Sequence, residues 1–225
     1  MSAPASREPG HRPRRLVILR HGETEHNAAG VWQGQLDSRL SERGRRQAEA
    51  VGPALRALHP TRVVSSDLSR ARDTGESVAQ ACGVAMAVDP RLREIHAGAW
   101  QGLTTPQVRE GWPEDWAAVM RGEDVRRGGP EGESMADVHA RMSEVLTEVV
   151  GAMAPGECVV VSTHGMAGRT GAAALLGLDP SFAWRLLGGL GNCHWGELTE
   201  GREGWRLTTW NLSAGVVPVG RSTPP

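Results

Sequence analysis

The chain has 225 residues, a formal net charge of −1 and a sequence pI near 6.7. That suits one folded unit of ordinary size and excludes the clustered cationic excess of a general nucleic-acid binder. All 25 basic residues are arginine, so lysine Schiff bases and phosphate-loop lysines are ruled out, and any anion site must be built from Arg, His and backbone amides. The three cysteines, Cys82, Cys158 and Cys193, form no Cys-x-x-Cys pair, and no stretch reaches the roughly 18 apolar residues of a membrane span. A cytoplasmic protein without membrane contact is expected.

Residues 1–14 and 213–225 are rich in Pro, Gly, Ser and Arg without periodicity and are read as disordered tails around a folded part over 15–212. The run Leu16-Val17-Ile18-Leu19 predicts a buried parallel strand that stops at Arg20-His21-Gly22. Open α/β sheets hold their ligands at that end of a strand. From Ser41, the residues Ala48, Val51, Leu55 and Leu58 share a helical face, with a kink expected at Pro53. A second strand over 62–65 runs into Ser66-Asp67-Leu68-Ser69-Arg70, and a helix follows to about Cys82. Residues 103–133 combine Gly, Pro, Trp and Arg with weak helical periodicity, which predicts a lid over the site. Ser134 and Asp137 form a capping-box pattern ahead of Met135, Val138, Met142, Val145 and Val149 at helical spacing. A strand over 158–162 then ends at Thr163-His164-Gly165, another helix follows, and two strands over 194–199 and 205–211 close the chain. Short apolar runs alternating with helices predict an α/β protein, a three-layer α/β/α sandwich with a mostly parallel central sheet.

Three strand ends thus deliver Arg20 and His21, Arg70, and His164, a set suited to one anionic ligand. Arg20-His21-Gly22-Glu23-Thr24 with Asn27, the run from Ser66 to Thr74, Leu92-Arg93-Glu94, Gly98-Ala99-Trp100-Gln101-Gly102, Gly132-Glu133-Ser134 and His164-Gly165 follow one another in order. This series resembles the signatures of the histidine phosphatase superfamily, the group that includes cofactor-dependent phosphoglycerate mutases. The resemblance implies that His21 is the phosphorylated nucleophile, that Arg20, Asn27, Arg70 and His164 grip the phosphoryl oxygens, and that Glu94 is the proton donor. Within that group, Gly188-Gly189-Leu190-Gly191-Asn192 with Trp195, Trp205 and Trp210 is similar to the C-terminal segment of actinobacterial glucosyl-3-phosphoglycerate phosphatases.

The chemistry supports these roles independently. Phosphoryl transfer asks a protein mainly for positioning and charge stabilisation, which two arginines and a second histidine supply. An attacking imidazole needs one bare nitrogen and a hydrogen bond on the other, for which a carbonyl near Gly22 is expected. A carboxyl that protonates an alkoxide must hold its proton near neutral pH, so Glu94 is expected to be partly desolvated or beside the substrate phosphate. Amides after His164, including Gly165, are expected to add to the phosphate cradle. Arg109 and Arg121 of the lid are expected to bind the rest of a small phosphomonoester substrate. No metal and no cofactor is called for, and a homodimer is compatible with these features. A Cys-x5-Arg nucleophile and an Asp-x-Asp motif are both missing. The alternative is mutase-type phosphoryl transfer on the same fold; the short interval between Glu94 and His164 leaves water access and favours hydrolysis. Met166 stands where a second glycine often follows His-Gly in this family.

Overall fold

The computed structural model describes residues 12–215; the outer parts of the two expected tails, 1–11 and 216–225, lie outside the described residues. Six strands form one sheet: β1 (Arg15–Arg20), β2 (Arg62–Ser65), β3 (Ala85–Val88), β4 (Cys158–Thr163), β5 (Trp195–Gly201) and β6 (Gly204–Leu212), in the spatial order β3-β2-β4-β1-β5-β6. The first four strands in that order are parallel, and β5 and β6 are antiparallel additions at one side. Arg14, expected in the N-terminal tail, donates from Nε to Glu200 Oε2 on β5 at 2.7 Å.

Eight helices accompany the sheet among the described residues: α1 (Glu25–Ala28), α2 (Glu42–Arg56), α3 (Ser69–Cys82), α4 (Thr105–Gly111), α5 (Pro113–Met120), α6 (Met135–Gly151), α7 (Gly165–Leu175) and α8 (Pro180–Leu186). The two-residue alternation along the buried strands sorts the core into two faces. Val17, Leu19, Val63 and Val160 pack with Val51, Leu55 and Val78 of α2 and α3. Leu16, Ile18, Val159 and Val161 pack with Val138, Met142, Val145 and Ala172 of α6 and α7. This is the expected three-layer sandwich.

Helix starts follow their caps. Ser41 accepts a hydrogen bond from Gly44 N–H at the head of α2, and Ser134 and Asp137 form the anticipated capping box of α6. Helix α2 continues through Pro53 to Arg56. The edge strand β3, Ala85-Met86-Ala87-Val88, escaped the sequence reading because it is only four residues long and wholly apolar, with no alternation to mark a strand. Within 103–133, Thr104 with Gln107 caps α4, and Pro106 and Pro113 stand in the first turns of α4 and α5. Trp100, Val108 and Val119 are buried in a separate small core, against which Trp32, Trp112 and Trp116 pack.

Register determines where the functional residues emerge. Arg20 lies opposite Thr163 in the β1–β4 pair, and Ser65 lies opposite Ser162 in the β2–β4 pair. The next residues, His21, His164 and Ser66, therefore leave three adjacent strands at one edge. From β1 the chain passes to α2 on one face, and from β4 it passes to α7 on the other, so the site sits at the topological switch point of the sheet.

Candidate active site

His21 is 3 % exposed and its Nδ1 lies 2.7 Å from the Gly22 carbonyl. A carbonyl only accepts, so Nδ1 carries the proton and a neutral ring keeps its lone pair on Nε2. Burial, followed by the charges of Arg70 and Arg20, holds the imidazole well below its ordinary pKa. The tight turn after His21 needs glycine because α2 packs directly upon it. A Cβ on Gly22 would fall 2.5 Å from the Gly44 oxygen, and one on Gly44 1.9 Å from the Glu23 oxygen.

Asn27 is the third residue of α1, where its Oδ1 accepts from Thr24 N–H at 3.2 Å and from Asn192 Nδ2 at 3.1 Å. With the oxygen so occupied, the amide nitrogen is the group left for a ligand. Asn192 also donates to the His21 carbonyl at 3.1 Å.

Arg20 donates Nη1 to the Leu190 carbonyl at 2.5 Å. Arg70, 1 % exposed, donates Nη1 to Leu36 O and Nη2 to Gly34 O, both at 2.7 Å. Burial pushes the Arg70 guanidinium down to about 10, still protonated at neutral pH. Buried polar atoms in proteins are nearly always hydrogen-bonded. Here Arg20 Nε, Arg70 Nε and His164 Nδ1, near His21, and Arg169 Nε elsewhere in the cleft are all buried without a partner. Unsatisfied polar atoms beside one imidazole suit an anion.

His164 is fully buried, and its ring centroid lies 5.1 Å from that of His21. Its Nε2 is 2.9 Å from Ser66 Oγ, and Leu68 N–H donates to the same oxygen at 3.3 Å. Nδ1 has no protein partner, and a Ser66 hydroxyl that donates to Nε2 leaves the proton of the neutral ring on Nδ1, facing a ligand. Ser66→Ala is expected to lower kcat about 10-fold by freeing the wrong tautomer and orphaning a buried nitrogen, a cost of about 1–3 kcal/mol. Ser66→Thr, which keeps the hydroxyl, should recover most of that activity. Equal losses in the two variants would remove the hydroxyl from the assignment.

Glu94 follows a 3-10 turn (Pro90–Leu92) and reaches the head of α7. Its Oε1 accepts from Ile95 N–H at 2.9 Å and Ala167 N–H at 3.0 Å, and its Oε2 accepts from Met166 N–H at 3.1 Å. Two amides expected to cradle phosphate are thus occupied by the carboxyl. The helix terminus orients the carboxyl group, and Met166 fits because it contributes only its backbone there. Gly165 itself lines the cleft.

The cleft has a volume of about 360 Å³, and Arg20, His21, Asn27, Arg70 and Glu94 all line it. The expected substrate-binding arginines of the lid do not. Arg109 and Arg121 are exposed, lie outside the lining, and Arg121 is paired with Glu123 at 2.6 Å. The aromatic core of that segment turns its tryptophans inward, which leaves its charged side chains facing solvent. What 103–133 does add to the cleft is Thr105, hydrogen-bonded to Trp32 Nε1 at 3.2 Å. Arg169 on α7 and Gln33 also line the cleft. Sequence reasoning passed over Arg169 and Gln33, which stand inside an element or a loop with no motif around them, and gave Ser66 and Asn192 no role of their own, since their partners lie far along the chain.

A bare imidazole nitrogen beside buried arginines with unsatisfied donors is what phosphoryl transfer through histidine requires. The fold and the cleft together define that class of enzyme. The model of the histidine phosphatase superfamily (branch 1) matches residues 16–213. A glucosyl-3-phosphoglycerate phosphatase of Mycobacterium tuberculosis is 42% identical over 220 residues, 91% of this chain and 97% of the relative. A probable phosphoglycerate mutase of Erwinia tasmaniensis is 36% identical over 197 residues, 87% of this chain and 89% of the relative. Among solved structures, a mycobacterial glucosyl-3-phosphoglycerate phosphatase in complex with inorganic phosphate superposes with a TM-score of 0.79 at 42% identity, covering 91% of this chain and 100% of that one. The chain belongs to the histidine phosphatase superfamily, and it is a phosphomonoesterase of that superfamily.

Proposed function

We propose that the chain hydrolyses the phosphate ester of glucosyl-3-phosphoglycerate, or of a closely similar phosphorylated glycerate, through a phosphohistidine on Nε2 of His21. The observation that carries this reading is the set of unpartnered donors gathered around that imidazole. Arg20, Arg70, Asn27 and His164 Nδ1 hold the phosphoryl oxygens while Nε2 attacks phosphorus and the ester oxygen leaves. Glu94 gives its proton to that oxygen, and the resulting carboxylate takes a proton from the water that attacks the phosphohistidine. Inorganic phosphate departs and the neutral imidazole returns. The substrate class rests on the relatives, since the glucosyl-3-phosphoglycerate phosphatase is more similar than the mutase.

The test is phosphate release from a panel of phosphorylated sugars, glycerates, nucleotides and proteins, run with a chelator and without any bisphosphorylated activator. Strong preference for glucosyl-3-phosphoglycerate, undiminished by the chelator, is the expected result. A requirement for a bisphosphorylated cofactor with no net phosphate release would establish the mutase instead. The working compartment is the cytoplasm, a reading supported by three free thiols; among the described residues no helix is long and apolar enough to cross a membrane.

The acid limb of kcat/KM tests the nucleophile's environment. A His21 held below the ordinary histidine value stays deprotonated as the pH falls through about 6.5. The limb should therefore appear below that value, and a midpoint at or above it would contradict the buried imidazole.

A further inference from the structure

The cleft holds one cation that the phosphoryl chemistry does not use. Arg169 lies on α7 five residues after His164 and lines the cleft with Arg20 and Glu94. Its Nη1 donates to the Leu187 carbonyl at 3.1 Å, and its guanidinium carbon lies 3.7 Å from the ring centroid of Trp184. Its Nε is buried with no partner, and Glu94, across the same cleft, is the acidic group whose charge reaches it without forming an ion pair. A buried donor left without a partner is costly unless a ligand supplies one.

We propose that Arg169, backed by Trp184, is a carboxylate subsite beside the phosphoryl pocket and selects substrates whose leaving alcohol carries a carboxylate a few bonds from the ester. Trp184 covers one face of the guanidinium, and Nη1 is spent on Leu187. The remaining in-plane edge, Nε with Nη2, is the planar fork that grips a carboxylate with two parallel hydrogen bonds. This subsite takes over the role that Arg109 and Arg121 were expected to fill from the lid. It rests on the proposed substrate class and deepens it by naming the group that recognises the glycerate.

A merely structural Arg169 would only tie α8 to α7, so the experiment reads a ratio that general loss of activity cannot move. kcat/KM is measured for 3-phosphoglycerate and for glycerol 3-phosphate, which share a carbon skeleton and differ in carboxylate against hydroxymethyl. Wild type should favour the carboxylate by about 10- to 150-fold, the range of a charge-assisted bond. Arg169→Met should bring the ratio near unity, and Arg169→Lys, which keeps the charge without the fork, should give an intermediate ratio. If wild type prefers 3-phosphoglycerate and both variants keep the full ratio, the subsite is overturned and the substrate class stands. If wild type shows no preference for the carboxylate, the subsite falls; the substrate class falls with it only if the phosphate-release panel also fails to favour glucosyl-3-phosphoglycerate.

Discussion

Replacing His21 with alanine is expected to lower turnover by about 10⁵- to 10⁶-fold, the scale seen when a covalent nucleophile is deleted. Wild-type enzyme denatured during turnover of labelled substrate should carry acid-labile phosphate on His21. Other nucleophiles in the chain are poorly equipped for the task. Cys158 and Cys193 are buried, and burial pushes their thiols up to about 11 and about 12, so neither supplies a thiolate at neutral pH. Ser66 is fully buried and is not among the residues lining the cleft. Label on a Ser, Cys or Asp, or label persisting in the His21→Ala protein, would overturn the phosphohistidine mechanism.

Substitution of Glu94 by glutamine should cost about 10²- to 10⁴-fold in kcat/KM for a sugar or glycerate phosphate, whose leaving alkoxide needs a proton. An aryl phosphate has a leaving group stable without one, so formation of the phosphohistidine from it should suffer far less. The comparison matters because the substitution also disturbs the head of α7. Glutamine can keep one oxygen on Ile95 and Ala167, but its amide nitrogen then meets the Met166 N–H, donor against donor. That disturbance weighs equally on both substrates, whereas loss of the acid does not. Burst-phase measurement of phosphohistidine formation with each substrate separates the two effects. Equal losses in that step would mean that Glu94 only orders the helix.

His21, Arg20, Arg70, His164 and Glu94 were legible in the sequence as a candidate site because each stands in a local pattern. Arg20, His21 and His164 interrupt apolar runs at strand ends, Arg70 opens a helix just beyond another, and Glu94 belongs to a short ordered motif. The carbonyl needed by His21 was also foreseen, since a tight Gly turn places one beside the ring. Strand and helix identity followed from period and caps for the same reason: the interactions that decide them lie within a few residues.

What only the tertiary structure decided were relations between distant residues. Ser66 and His164 are far apart along the chain, and their contact exists because β2 and β4 are neighbours in register. Arg169 lines the cleft held between the Leu187 carbonyl and the Trp184 ring, residues that local patterns along α7 do not announce. Arg109 and Arg121 lie outside the cleft for the converse reason. Arg109 and Arg121 have the right chemistry, but Trp112 and Trp116 find a core with Trp32 and Trp100, and that packing turns the charged faces to water. Sequence periodicity reports which side of an element is apolar, whereas the direction in which its polar side points depends on every element packed around it.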